Sequence, residues 1–401
     1  MENIFDPTYR AGPQQPLDLD ADEDTTSWSV MVHTPDFLAE KLPFTLSVYA
    51  SEADNFQPSG GRVNVYNEQI APVTGATEEM GFIIGALDGK ISARVNFYET
   101  GVLNNSFDVG GISPSAGILT NLVTQLANPD NVAQGFTVAD SQAVLAPQGT
   151  QDVSGFVPDW NNLTATTNRN SGDNGTQDFT AEGMEIEIAY NPTPEWTMLL
   201  TVGQQETVTS NTYPVLGRLV NEFVIPTWIN TSFAQNFFIN TDSTETLAEQ
   251  AQRVIVDPYN RGRLQDGNPS KEQAEWRWAF NTSYSFGKTE FLNGWLGDVT
   301  VGGGARWEDK VGIGFNTTTN SLGDVVEDIN QPYFSDTSLF VDIFARFRYD
   351  LEKERAFTFQ VNVRDLFNND DLKAFRATPD GRQLYRFTEG RLVSASATLE
   401  F

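Results

Sequence analysis

The sequence predicts an all-β fold: an antiparallel transmembrane β-barrel with short periplasmic turns and long extracellular loops. Three observations carry the prediction. Apolar and polar residues alternate with period two in about eleven segments. Short and long connections between those segments follow one another without exception. No apolar run is long enough for a membrane helix, which needs about 20 residues, whereas a barrel strand shows only alternation over about 10.

The segments fall at 27–33, 43–52, 79–87, 90–99, 181–190, 194–205, 273–286, 297–308, 338–349, 355–366 and 391–401. In the fourth, Ile91, Ala93, Val95 and Phe97 oppose Ser92, Arg94, Asn96 and Tyr98. In the fifth, Met184, Ile186, Ile188 and Tyr190 oppose Glu185 and Glu187. In the ninth, Leu339, Val341, Ile343, Ala345, Phe347 and Tyr349 oppose Phe340, Asp342, Phe344, Arg346 and Arg348. Phe357, Phe359, Val361 and Val363 oppose Thr358, Gln360, Asn362 and Arg364. The last reads Val393, Ala395, Ala397, Leu399 and Phe401 against Ser394, Ser396, Thr398 and Glu400. Each segment has one apolar face and one wet face.

The short connections are 34–42, 88–89, 191–193, 287–296 and 350–354; the long ones are about 53–78, 100–180, 206–272, 309–337 and 368–390. Outer-membrane barrels have this asymmetry, and a soluble meander has no reason for it. Trp196 beside a short turn, and Trp276 and Trp278 at a long loop, fit aromatic girdles at two interfaces. Within the long loops, 115–127 and 244–254 have helical spacing.

Composition excludes several chemistries. The chain has 401 residues, 25 basic and 54 acidic, for a net charge of −29, which disfavours nucleic acid. With no cysteine there is no disulfide, thiolate nucleophile or sulfur-based zinc site. A Ser-His-Asp triad could run only through the single histidine, His33, which near a short turn reads as a satisfied or solvated residue. Asp18 to Asp24 looks like half a calcium loop but lacks its glycine and closing glutamate, and reads as a solvated acidic loop. The expectation is a non-enzyme without cofactor or bound metal.

The C-terminal residues carry a family resemblance. Phe359 to Phe367 (FQVNVRDLF), then Tyr385, then Gly390 to Phe401 (GRLVSASATLEF) resemble the ending of TonB-dependent outer-membrane receptors. Glu182 to Trp196 (EGMEIEIAYNPTPEW) is similar to a hairpin of that family, and Gly302 to Lys310 (GGGARWEDK) to one of its strands. Asn55 to Pro58 and Leu87 to Glu99 are also similar to such receptors. The resemblance implies active uptake of a scarce large nutrient (a ferric siderophore, cobalamin or an oligosaccharide) across the outer membrane of a Gram-negative bacterium. It implies as partners outer-membrane lipid, the TonB complex acting through a plug, and the barrel-assembly machinery. A complete member has a plug and about 22 strands. Residues 1–401 match the C-terminal barrel portion alone, with 1–26 the end of an outer loop. Counting back from an inward final strand, 27–33 also runs inward, as a twelfth strand would. The alternatives are a passive porin and a soluble or surface glycan-binding protein, separated respectively by a plug encoded upstream and by solubility without detergent.

Candidate residues follow from these placements. Arg94, Asn96, Tyr98, Glu185, Glu187, Arg346, Arg348, Gln360, Asn362 and Arg364 share the wet face and would line the lumen against plug or solute. Glu185 and Glu187 could also be an acid–base pair, a role that needs a cleft and a suitable separation. Trp160, Tyr213, Trp228, Phe233, Phe237 and Phe238 lie in long loops, where they either stack on a solute or bury against one another. Phe401, in phase with the last strand, is the expected assembly signal.

Overall fold

The computed structural model describes residues 24–58, 61–66, 68–109, 116–145, 156–167, 174–264, 266–288, 298–319, 325–351 and 355–400. Phe401, residues 1–23 and the Asp18–Glu23 part of the acidic run lie outside them. The strands are β1 (Ser27–His33), β2 (Phe44–Gln57), β3 (Val73–Ala86), β4 (Ile91–Asp108), β5 (Phe156–Asp159), β6 (Thr164–Thr167), β7 (Asn174–Thr193), β8 (Trp196–Ser210) and β9 (Trp276–Lys288). They continue with β10 (Asp298–Glu308), β11 (Gly312–Thr319), β12 (Val325–Phe334), β13 (Ser338–Asp350), β14 (Ala356–Arg364), β15 (Leu372–Ala377), β16 (Gln383–Phe387) and β17 (Leu392–Glu400).

One antiparallel sheet of eleven strands runs β1-β2-β3-β4-β7-β8-β9-β10-β13-β14-β17, so neighbours in the sheet are neighbours among the eleven sequence segments. Its outer strands, β1 and β17, each have one partner in it. The short connections all leave one end of the sheet and the long ones the other.

Several strands reach farther toward the long connections than the sequence expectation, as β2 (to Gln57), β3 (from Val73) and β8 (to Ser210) do, and two boundaries differ most. β4 was expected to end near 99 and continues to Asp108; β7 was expected to start near 181 and starts at Asn174. The added residues, such as Asn105 opposite Gln177 and Ser106 opposite Thr176, pair through backbone but have no apolar phase. The hairpins β5–β6, β11–β12 and β15–β16 lie inside long connections and likewise lack a clear alternating face.

Strand register sorts the side chains into two faces. Asn96, Glu185, Gly203, Arg277, Glu308 and Ser338 are successive partners across six strands, forming a polar row. One residue along, Val95, Ile186, Val202, Trp278, Trp307 and Leu339 form an apolar row on the opposite face. Toward the long connections the apolar face ends in a line of five carboxylates: Glu52, Glu78, Glu99, Glu182 and Glu206 are direct partners on five adjacent strands. Like charges directly opposed are destabilising unless water or counter-ions screen them, so the apolar surface stops there.

The main buried core is not on the sheet. It is a cap built from the connections 109–173 and 211–275, with Val65 from a third; Leu119, Leu122, Leu216, Leu219, Trp228, Phe237 and Ile255 are fully or almost fully buried in it. The expected helical stretches are present as Ala116–Thr124 with Gln125–Ala127, and as Leu247–Ala251 continuing through Gln252–Val256. The helix Pro214–Leu219 continues into a π-helical stretch, Val220–Ile229, which contains Pro226. Proline has no N–H to donate, and a wider turn is one way a helix accommodates it.

Polar side chains tie the two connections together. Trp228 Nε1 donates to Val144 O at 2.7 Å. Asn131 Nδ2 donates to Phe238 O at 2.8 Å while its Oδ1 accepts from Phe238 N at 2.9 Å. Asn128 Nδ2 donates to Asn240 O at 3.0 Å. A buried amide used at both ends fixes the two segments in register as well as orientation.

Candidate functional site

The polar face holds a cavity of about 580 Å3 between β4 and β13. Arg94 and Glu187 face each other on β4 and β7, and Asn96 and Glu185 occupy the next pair. Arg277 on β9, Arg306 and Glu308 on β10 and Ser338 on β13 complete the wall. A second hollow of about 300 Å3 shares Glu185, Gly203, Arg277 and Glu308 and brings in Tyr98, Glu272 and Glu275.

Alternation sets this surface, and tyrosine–glycine pairs shape it. Tyr49 on β2 is buried, donates to Asn96 Oδ1 at 2.7 Å and accepts from Arg94 Nε at 3.1 Å. It lies over Gly81, where a Cβ would stand 2.6 Å from the Tyr49 hydroxyl. Tyr98 lies over Gly183 in the same way, at 2.8 Å. The tyrosine rings occupy space that a side chain would otherwise fill. Arg306 Nη1 pairs with Asp342 Oδ2 at 3.1 Å, and Arg348 Nη2 with Glu400 Oε2 at 2.9 Å. The wall therefore offers fixed hydrogen-bond donors and acceptors of both signs rather than one strong field.

All ten residues expected on the wet face share one face of the sheet by register, including Arg346 opposite Gln360 and Phe344 opposite Asn362. Arg94, Asn96, Glu185 and Glu187 line the larger cavity; Arg346, Arg348, Gln360, Asn362 and Arg364 lie away from it toward β17. Sequence reasoning passed over Tyr49, Arg277, Arg306 and Glu308. The phase of their strands would have placed them, since each alternates with apolar residues.

Of the two expectations for the loop aromatics, the structure overturns solute stacking for Trp228 and Phe237 and packs others of the set against the same core. Trp228 and Phe237 have no exposed surface, so burial in the cap rules out stacking on a solute. Phe233 stacks on Phe237 with ring centroids 4.6 Å apart, and Trp160 packs on the same core. Phe238 is half-buried. Tyr213, at φ 62°, is wedged between Phe107 at 5.2 Å and Tyr259 at 6.1 Å. Burial, and then the charge of Asp266, push its phenol above the usual range. His33 meets Ser47 Oγ at 2.8 Å, a satisfied surface residue.

Other shifts in the long connections come from caps and pairs. Asp140 and Glu249 are held below the usual carboxylate range by hydrogen bonds from Thr137 and Thr246 in two capping boxes. Arg218 is raised, first by its bond with Tyr66, whose ring lies 4.1 Å from the guanidinium carbon.

The apolar face has a larger hollow, about 960 Å3, between Trp196, Tyr284, Phe286 and Val301, above Gly303 and Ala345. Trp196 and Tyr284 are partners with centroids 6.1 Å apart near the short connections, while Trp276, Trp278 and Trp307 lie toward the long ones. Apart from Thr282, Ser283 and Asp342 the hollow's lining is apolar, which suits hydrocarbon better than a polar solute.

No known protein family's profile matches the chain, and no curated protein does. Solved structures do. The ferripyoverdine receptor of the outer membrane of Pseudomonas aeruginosa aligns at TM-score 0.43 and 16% identity, over 89% of this chain and 32% of its own. The ferric-catecholate import receptor Fiu of Escherichia coli K12 aligns at 0.40 and 18%, over 89% and 34%. The siderophore receptor PiuA of Acinetobacter baumannii aligns at 0.41 and 14%, over 89% and 35%. The chain thus spans about a third of the length of the receptors it is similar to.

Proposed function

We propose that this chain is the C-terminal portion of the barrel of a TonB-dependent receptor, taking up a ferric siderophore across the outer membrane of a Gram-negative bacterium. The observation that carries the reading is the eleven-stranded antiparallel sheet, with one apolar face, one polar face and every long connection at the same end. Such a sheet is suited to lipid on one side and a filled lumen on the other. The C-terminal motifs add to it. The polar wall around Arg94, Asn96, Glu185, Glu187, Arg277 and Arg306 contacts the plug or the passing solute. The cap holds the outer entrance, and the remaining strands and plug complete the transporter.

Two experiments test this. Cysteines are placed in the whole receptor at Val132, exposed in the cap, and at Glu195, in a short turn. An impermeant reagent applied to intact cells should label Val132→Cys and leave Glu195→Cys untouched; the reverse pattern overturns the topology. Uptake of a labelled ferric siderophore should stop both in a strain lacking the receptor and when the proton-motive force is collapsed. Transport that persists without that force favours a passive pore, and transport of cobalamin or an oligosaccharide instead reassigns the solute.

A further inference from the structure

We propose that the cap is a lid over the outer end of the polar face, hinged where 211–213 and 266–267 meet and latched by the ring of Tyr213. The hinge rests on no reading of what is transported; its role as an entrance rests on the uptake proposed above. Tyr213 stands between two bodies. On the sheet side its ring meets Phe107 on β4 and Gly175 on β7, where a Cβ would be 3.1 Å from Tyr213 Cδ1. On the cap side it meets Tyr259 and Gly262 of the helix Asp257–Arg263, where a Cβ on the glycine would be 2.4 Å from Tyr213 Cε2. Gly175 is in phase with Gly183 and Glu185 along β7, so the latch lies on the polar face.

The hinge line is marked from both sides. Below it the returning stem is zipped to β8: Gly267 N donates to Thr209 O at 2.8 Å, Ser270 N to Thr207 O at 2.7 Å, and Gln205 N to Glu275 O at 2.9 Å. Above it the two connections are tied to each other through Trp228, Asn131 and Asn128. At the line itself, Asn211 has φ 52° and Tyr213 φ 62°, left-handed values that cost a residue with a side chain. Thr212, between them, is buried, and its Oγ1 finds no partner in the protein. Asp266 accepts from Thr212 N through Oδ2 at 3.2 Å, while its buried Oδ1 likewise finds no protein partner.

Backbone strain and unmatched polar atoms therefore collect at one line, where a few residues can absorb a change in φ and ψ. An outward swing relaxes the two left-handed residues and gives both oxygens to bulk water, so the closed lid is held mainly by the Tyr213 ring. The remaining holds come from a third connection: Val65 is buried in the cap core, and the Tyr66 ring lies against Arg218. A swing has to part these as well, so the latch shifts the balance and does not set it alone.

The chain has no cysteine, so spin labels can be placed uniquely in the full chain in detergent micelles. Val132→Cys with Glu195→Cys reports the cap against the sheet; Val132→Cys with Asp242→Cys reports the two connections against each other. In the parent the first pair should show one dominant distance, with an open population of about 10% or less. Tyr213→Ala should raise the open-to-closed ratio about tenfold or more and leave the second pair unchanged. Gly262→Ala should open the lid too, by displacing the ring, although alanine favours a helix. Tyr213→Phe keeps the ring and should stay closed. A first pair unmoved in both Tyr213→Ala and Gly262→Ala, a second pair that broadens along with the first, or Tyr213→Phe as open as Tyr213→Ala would each overturn the proposal. Uptake of a labelled ferric siderophore is measured separately in the whole receptor. A lid that swings in a parent without uptake removes the entrance role and the uptake reading together, and leaves the hinge standing.

Discussion

Trp228 joins two roles that are usually separate. Its ring fills the cap core, where Phe223 meets it edge-on at 5.4 Å, and its N–H satisfies a main-chain carbonyl of the other long connection. Truncating a buried aromatic costs about 3–5 kcal/mol, and an orphaned carbonyl adds to that. Trp228→Ala should therefore leave the sheet assembled but make both connections protease-sensitive together; cleavage confined to 211–275 would show that they are not one unit. Trp228→Phe should restore packing and still lose the bond to Val144. The capping carboxylates give a pH dependence at the same scale. Because Glu249 and Asp140 titrate lower in the folded cap than in an unfolded chain, their stabilisation is present above the ordinary carboxylate pKa, about 4. It is lost as pH falls through the lower folded values. Hydrogen exchange in Val138–Val144 and Leu247–Ala251 should accelerate, relative to the sheet, as the pH is lowered through that window. Glu249→Gln keeps the capping geometry and should flatten the change in the second helix.

Among the elements, β7 shows most directly how sequence dictates shape. Gly183 lies where a Cβ would be 2.2 Å from the Gln204 carbonyl oxygen and 2.8 Å from the Tyr98 hydroxyl. The first contact is with backbone, so a side chain cannot be accommodated by a rotamer change alone. Gly183→Val should lower the yield of assembled protein and displace Tyr98; overpacking of this kind costs about 1–3 kcal/mol. Gly101→Ala, with nothing within 4 Å of its Cβ, is the matched control and should assemble normally. Equal yields for the two would mean that the ring–glycine fit is unimportant. These elements also mark what was legible in the sequence. A strand such as β14 has a strict two-residue period because it is wetted on one face only. The outer reach of β4 and β7 and the hairpin β11–β12 were not legible, since Asn, Thr and Ser on both faces leave no period to read. The cap aromatics were visible as aromatics, but burial depends on partners more than a hundred residues away in some cases, as between Asn131 and Phe238, and no local pattern encodes that.

For the molecule as a whole, the polar wall was legible from phase alone, as Arg94 and Glu187 show, whereas its depth, which depends on Tyr49 reaching Asn96 from another strand, was not. In the proposed barrel, the line of glutamates across β2, β3, β4, β7 and β8 would be a waterline. From Ile91, beside a short turn, to Glu99 is eight residues along β4, or about 27 Å of strand. At a barrel tilt of about 40°, that is roughly 21 Å of vertical height, slightly less than the usual apolar band of about 25 Å. If the sheet is the barrel wall proposed above, this draught fits a thin membrane, and the bacterial outer membrane is thinner than average. The boundary should be sharp, because Phe97 and Glu99 are adjacent on the same face. In the whole protein reconstituted in lipid, Glu99→Cys should react with a water-soluble thiol reagent and Phe97→Cys should be shielded. Equal reactivity at both positions would place that surface in water and sink the bilayer reading of the sheet's apolar face.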